Sequence, residues 1–303
     1  MAHQTNLADL KRMLGINLFL DLDDHALVNT RQQGLVCSFM GMRLSSVFQP
    51  VVTANGEVVG REALLRADSQ EGALAPQAAF EQAVSVRKLV QFDRLVRTVH
   101  LLNHAKVFDE HELIFLNVHP QLLTSVSDHG RTFEQILHYY SVPTSQVVIE
   151  IKESAVHDDA RLEEAVSNYR SLGYRIAVDN FGSGHGSLDK LFHQRAGYGK
   201  LTSIDRLAWL SRVLDLRPDF VKLDGAIIRQ AESDPQALTV LYRLVDLFHD
   251  IAAKVVVQNI ETGEQRAIAR NAGADLLQGH HLGSPEFVSE ARGRLCRNER
   301  LAA

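Results

Sequence analysis

The sequence predicts an α/β chain: a modified (β/α)8 barrel of the TIM type, with an irregular first strand pair and extra helices at its N-terminus. Three observations carry that expectation. From Ser46 onward, short Val- and Ile-rich runs alternate with helical patterns over about 250 residues, the usual length of such a barrel. The runs VVIEI, RIAVD and KVVVQ are nearly continuous in apolar residues, as strands buried on both faces of a parallel sheet are. No GxGxxG follows a first strand, so the doubly wound sheet, the alternative architecture, lacks its usual mark.

The elements follow in chain order. Over residues 1–45, Leu7, Leu10 and Leu14 keep helical spacing up to Gly15, and Leu27–Met42 is weakly amphipathic. This extension reads as a helix or two packed on the barrel, or as a dimerisation or partner element. Strands Val47–Val52 and Val58–Leu65 are joined through Ala54-Asn55-Gly56, a tight-turn signal that makes them a hairpin. Further strands are expected at Leu113–Val118, Gln146–Ile151, Arg175–Asp179, Phe220–Leu223, Lys254–Gln258 and Asp275–Leu277. Helices are expected over Ala78–Asn103, Arg131–Tyr140, Asp158–Leu172, Pro235–Ala252 and Glu261–Ala272. Gly173 and Gly273 stand where a C-cap glycine is useful. The barrel domain thus spans residues 46–290, followed by a tail over 291–303. Residues 185–216 form a long stretch between the strands at Arg175–Asp179 and Phe220–Leu223, with His193, Arg195, Lys200, Arg206, Arg212 and the single tryptophan, Trp209. It reads as a solvated loop plus helix, or as a partner-binding or dimer-modifying insertion.

Composition narrows the function classes. With 303 residues, 45% hydrophobic and 23% charged, the chain is an ordinary globular one. A formal charge of −5 argues against a broad nucleic-acid surface, while leaving a small anionic ligand open. Two cysteines, Cys37 and Cys296, without a CxxC pattern fit a reducing, cytoplasmic setting. No apolar run reaches the length of a membrane span, and the N-terminus does not read as a secretory signal. The adjacent His280 and His281 are a weak metal candidate.

The chemistry-bearing residues stand at strand ends. Asn117 lies near the end of LIFLNV, Glu150 lies near the end of QVVIEI, Asp179 ends RIAV and Lys222 lies within DFVKLD. In a parallel barrel these ends converge on one face. Carboxylate and amide oxygens without clustered Cys or His select a hard cation: Mg2+, Mn2+ or Ca2+. Such ions polarise phosphates and activate water, and a pair of them braces the attacking and leaving oxygens.

At these residues the sequence resembles the EAL family, bacterial phosphodiesterases that linearise cyclic di-GMP. REALLRA contains Glu62-Ala63-Leu64, FQPVV at 48–52 is similar to the family's opening strand, and FLNVHP at 115–120 resembles its Asn motif. IEIKES at 149–154, VDNFGSG at 178–184, FVKLD at 220–224, VVQNIET at 256–262 and LQGHHLGSP at 277–285 follow in the family's order. The resemblance implies Glu62, Asn117, Glu150 and Asp179 as ligands of a first Mg2+ or Mn2+ ion, with Ca2+ as an inhibitory substitute. It implies Lys222 beside the attacking water or phosphate, together with Glu62 and Asp179 as catalytic groups. Arg66, Gln49, Asn117, Asp224 and Gln278 become contacts of the dinucleotide. Glu153 braces the loop after Asp179, and Asp224 and Glu261 are supports; Glu153 and Asp224 read equally well as a helix cap or a structural ion pair. A cyclic di-GMP ligand, a homodimer and a protein partner are the implied associates.

Two positions depart from the pattern. Asn180 and Gln258 replace an Asp and a Glu of the second metal site. At an effective dielectric of ~20, a unit charge about 4 Å from another is worth roughly 4 kcal/mol, so two lost charges weaken a second ion severely. Neither amide acts as a general base. The expectation is a degenerate EAL domain that regulates by binding ligand or protein; the alternative is a slow Mg2+- or Mn2+-dependent phosphodiesterase giving linear pGpG.

Overall fold

The Val-, Ile- and Leu-rich runs close into a barrel in the computed structural model, which describes residues 25–108, 111–126, 130–156, 160–183 and 210–288, with Arg12 and Gly15. Leu7, Leu10 and Leu14, the insertion as far as Trp209 and the tail over 291–303 lie outside the described residues. In chain order the strands are β1 (His25–Thr30), β2 (Gly34–Phe39), β3 (Met42–Thr53), β4 (Val58–Ser69), β5 (Gly72–Leu74), β6 (Leu113–Asn117), β7 (Val147–Lys152), β8 (Arg175–Phe181), β9 (Phe220–Leu223), β10 (Lys254–Val257), β11 (Leu276–Leu277) and β12 (Glu286–Phe287). Eight of them form the ring β3-β4-β6-β7-β8-β9-β10-β11, closed by the pairing of β11 with β3. The doubly wound alternative is thereby excluded.

The irregular first pair is present. β3 and β4 are antiparallel, and β11 also meets β3 antiparallel, so β3 alone runs against the other barrel strands. Gly56 takes φ +96° in the turn and donates from its N–H to the Thr53 carbonyl at 2.9 Å.

The N-terminal expectation needs correction. In place of a helix over Leu27–Met42, strands β1 and β2 extend the sheet from β3. Met40 at φ 54° and Gly41 at φ 74° form a two-residue turn whose twist suits a hairpin, and Gly34 at φ 69° opens β2. Leu35, Val36, Cys37 and Phe39 are buried there. A second correction concerns the helix over Ala78–Asn103. It is two helices, α1 (Pro76–Ser85) and α2 (Leu89–Val107), because Arg87 turns left-handed at φ 58° and the Lys88 N–H returns to the Ala83 carbonyl. Further helices are α3 (Pro120–Ser125), α4 (Arg131–Tyr139), α5 (Ala160–Ser171), α6 (Gly225–Ala231), α7 (Pro235–Asp250) and α8 (Gly263–Asn271). Among the described residues no helix is long and apolar enough to cross a membrane.

Strand periodicity sorts the core into two parts. Outward-facing residues such as Leu116, Ile149, Ile151, Val178, Val221 and Val257 pack with the helices in one large cluster. Inward-facing Val51, Leu113, Phe115, Val148, Ala177, Phe220, Val256 and Leu276 form a separate apolar plug inside the barrel. Phe115 and Phe220 meet edge to face at 5.4 Å within it. Gly60 makes room for that packing, since a Cβ there would lie 2.8 Å from that of Leu113.

Candidate metal and ligand centre

Side chains two residues apart on a strand share a face, so each strand sends a second residue into the lumen above the plug. All eight are polar: Gln49, Glu62, Asn117, Glu150, Asp179 and Lys222 lie in β3, β4, β6, β7, β8 and β9, and Gln258 and Gln278 directly follow β10 and β11. Glu150 and Lys222 are wholly buried, and Glu62, Asp179, Gln258 and Gln278 nearly so.

The layer is held together by its own charges. Lys222 Nζ donates to Glu62 Oε2 at 2.7 Å and to Glu150 Oε1 at 2.5 Å, and stands 3.6 Å from Asp179 Oδ1. Below it lies the Phe115 ring, 5.7 Å from the ammonium. Asn117 Nδ2 bridges Glu62 Oε1 at 3.0 Å and Glu150 Oε2 at 2.9 Å. Gln278 Nε2 donates to Glu62 Oε2 at 2.8 Å and to Gln49 Oε1 at 3.3 Å. Asp179 receives Gln258 Nε2 on Oδ1 at 3.1 Å and Asn180 Nδ2 on Oδ2 at 3.0 Å. All six oxygens of Glu62, Glu150 and Asp179 therefore accept from side chains of this protein.

Burial and charge pull the titrations apart. Burial alone would depress the Lys222 ammonium, but the charges of Glu150, Glu62 and Asp179 outweigh it and hold it above its ordinary range. Burial would raise Glu62, yet the adjoining Lys222 keeps it below the usual carboxylate value. Glu150 is pushed well up, first by burial and then by the negative charge of Glu62. Asp179 is raised too, chiefly by burial.

Local backbone features aim these groups. The β8–β9 register shifts between Val178 and Phe181, and Asn180 takes φ 55°, which brings the side chains of neighbours 179 and 180 together. In the following turn Glu153 Oε2 accepts from the Gly182 N–H at 2.6 Å. After β10, Asn259 is left-handed at φ 57°, and the Ile260 N–H donates to the Gln278 carbonyl at 3.0 Å. That approach requires Gly279, where a Cβ would lie 2.1 Å from the Ile260 oxygen.

Three expected site residues stay outside the network. Arg66 is exposed and donates to the Leu65 carbonyl at 3.0 Å. Asp224 caps α6, accepting from the Ala226 N–H at 2.8 Å, so the helix-cap reading describes its contact. Glu261 is exposed, with its backbone N–H tied to Gln265 Oε1 at 2.7 Å. Gln265 is a positioning residue the sequence reading missed: it is buried, and its Nε2 donates to Glu232 Oε2 at 3.0 Å. Its place in the first turn of α8, after the Thr262 cap, was the available signal.

A divalent cation fits part of this layer. Three carboxylates against one ammonium leave excess negative charge, and the donors are hard oxygens. Gln258 Oε1 and Gln278 Oε1 are buried and accept no hydrogen bond, the condition of acceptors awaiting a donor or a cation. As the side chains stand, however, no group of three or more His, Cys, Asp or Glu among the described residues forms a metal cluster, because nitrogens lie between the carboxylates. The first site thus fits an ion once Asn117 presents its oxygen. A second site does not: beyond Asp179, which the first ion shares, it has only the uncharged amides of Asn180 and Gln258.

Comparison with known proteins places this geometry. A model described as the EAL domain matches residues 38–203 and 202–285. The EAL-domain containing protein YkuI of Bacillus subtilis is 29% identical over 245 residues, covering 78% of this chain and 54% of YkuI. The cyclic di-GMP phosphodiesterase RocR of Pseudomonas aeruginosa is 25% identical over 246 residues, covering 78% of this chain and 56% of RocR. The chain thus spans little more than half the length of these relatives. Among solved structures, a standalone EAL protein of Vibrio cholerae with cyclic di-GMP bound superposes with a TM-score of 0.63 at 24% identity, covering 81% of this chain and 93% of that one. The YkuI structure, in complex with cyclic di-GMP and calcium, gives 0.60 at 24% identity, covering 86% of this chain and 60% of its own. At that identity the likeness is one of fold.

Proposed function

This chain belongs to the EAL domain family, and from that premise we propose that its barrel mouth binds cyclic di-GMP as a regulatory ligand, with hydrolysis impaired. The observation that carries the reading is the pairing of Asp179 with two amides. Asn180 and Gln258 each donate an N–H to it, at 3.0 and 3.1 Å, where the family pattern has carboxylates that could only accept. They give Asp179 hydrogen bonds that carboxylates could not, which supports a second-ion position without charged ligands beyond Asp179. Neither amide removes a proton from water at neutral pH.

The ligand-facing groups support retained binding. Gln258 Oε1 and Gln278 Oε1 are open acceptors. Arg66, exposed and four residues beyond Glu62 on the same face of β4, suits a phosphate at the rim. Glu62, Asn117, Glu150 and Asp179 would hold a Mg2+, Mn2+ or Ca2+ ion, which when bound supplies Lewis acidity toward a phosphate oxygen. The intact group of Glu62, Asn117, Glu150 and Lys222 favours a second reading, slow single-ion hydrolysis to linear pGpG. Signal output by a homodimer or through a protein partner completes the proposal.

Titration with cyclic di-GMP in Ca2+, followed by Mg2+ and Mn2+ turnover assays, separates the two readings. Binding with turnover at or near background is expected. Asn180→Asp combined with Gln258→Glu should raise Mg2+-dependent hydrolysis by orders of magnitude. Robust wild-type conversion to pGpG overturns impairment, and absence of binding overturns the ligand.

A further inference from the structure

We propose that Asn117 sets the metal affinity of the first site by standing in for the ion: its amide nitrogen holds Glu62 and Glu150 together without metal, and a half-turn of the same amide offers the oxygen when a cation enters. The inference rests on the first-ion assignment above but is independent of which ligand the mouth takes.

The geometry makes the two states exclusive. Glu62 Oε1 and Glu150 Oε2 lie 3.0 and 2.9 Å from the one nitrogen, Asn117 Nδ2, while the other oxygen of each carboxylate is taken by Lys222. The two carboxylates are therefore held between an ammonium and an amide. With both carboxylates ionised, an amide oxygen in the place of Nδ2 would face two carboxylate oxygens with no proton between them, an arrangement that leaves buried acceptors unsatisfied. A hard cation reverses the demand, since it draws oxygens together and repels N–H groups.

Rotation about the last side-chain bond exchanges oxygen for nitrogen at nearly the same point in space, so no backbone movement is needed. The backbone is in fact fixed: Asn117 pairs with Glu150 in the β6–β7 ladder, and the Val118 N–H donates to the Glu150 carbonyl at 3.2 Å. The side chain is only half-buried, which leaves it room to turn. Metal binding then includes the loss of two charge-assisted hydrogen bonds, and the metal-free protein remains ordered because every oxygen of the carboxylate cage is already served.

The test uses the full chain stripped of metal at pH 8, as wild type and as Asn117→Asp. Without metal, the substitution sets a third carboxylate against Glu62 and Glu150, so melting should fall by several degrees. Ca2+ should then raise the melting temperature of Asn117→Asp more than that of wild type, because the new side chain ligates without turning. Metal-free melting equal to wild type overturns the proposal, and so does a Ca2+ response no larger than that of wild type. Should Asn117→Asp fail to fold, wild type labelled with 15N-asparagine gives an independent readout. The Asn117 side-chain N–H signals, identified by their loss in Asn117→Ser, should exchange slowly with solvent before Ca2+ and at least tenfold faster at saturation. Unchanged exchange at saturating Ca2+ overturns the proposal. Cyclic di-GMP titration in metal-free buffer, run in parallel, shows whether ligand binding stands when the Asn117 assignment fails.

Discussion

Lys222 has no contact with water, yet the surrounding anions keep it charged. Its removal would strand Glu62, Glu150 and Asp179 in a closed layer above aromatic rings. We expect Lys222→Met to lose roughly 3–5 kcal/mol of stability in metal-free buffer, measured by urea unfolding, because breaking a buried pair leaves the partner charges uncompensated. A loss below about 1 kcal/mol would show that the carboxylates take up protons and need no lysine. At this scale the sequence is highly legible. Asn117, Glu150, Asp179 and Lys222 were recognisable at or near strand ends by pattern, since periodicity places residue i+2 on the face of residue i, whereas Gln49 and Gln278 came only with the resemblance. What could not be read was the direction of donation. An Asn or Gln offers both a donor and an acceptor, and only the neighbours decide which end faces Asp179 or Glu62.

Among the elements, the β1–β2 hairpin is fastened from α2 by Asn103, buried beneath it, and at its edge by Lys106 Nζ, which donates to Asn29 Oδ1 at 3.2 Å. Asn103 accepts from the Leu35 N–H at 2.7 Å and donates to the Leu35 carbonyl at 2.8 Å, imitating a neighbouring strand, and also reaches Ser46 Oγ at 3.3 Å. Gly34 is required beside it, because a Cβ there would lie 2.5 Å from Asn103 Oδ1. Asn103→Leu leaves two buried backbone groups unpaired, at about 1–3 kcal/mol each, so the Leu35 amide should exchange with solvent many-fold faster. Unchanged exchange there would show that apolar packing alone holds the hairpin. This fastening explains the misreading of residues 27–42. The spacing of Leu27, Leu35 and Phe39 imitates a weak helical face, while the deciding partner lies 68 positions away. The break between α1 and α2 was hidden likewise: no Gly or Pro marks it, and Arg87 adopts the left-handed turn itself.

For the whole molecule, two neutral imidazoles inside the packing make acid sensitivity predictable. His100, hydrogen-bonded to Ser46 Oγ at 2.7 Å, and His104, set against Phe48 and Phe108, are both lowered by burial to about 3. An unfolded chain protonates them near 6.5, so between pH 6.5 and 3 the unfolded state binds the extra protons. Their contribution is fully present above 6.5 and falls by roughly 1.4 kcal/mol per pH unit for each histidine as pH drops through that window. Unfolding midpoints across it should flatten in a His100→Gln variant, and an unaltered slope would assign the acid response elsewhere. The barrel class, its strand order and the hairpin at its start were legible because they rest on local pattern; the sheet extension was not, because it rests on distant contacts. That opening hairpin also bears on how such a chain can diverge. Gln49 and Glu62 are cross-strand partners in β3 and β4, and a change of one residue in the length of either arm would exchange every inward side chain beyond it for an outward one. Letters in the polar ring can therefore change one at a time, whereas the spacing between Gln49 and Glu62 behaves as a reading frame that tolerates no single insertion or deletion.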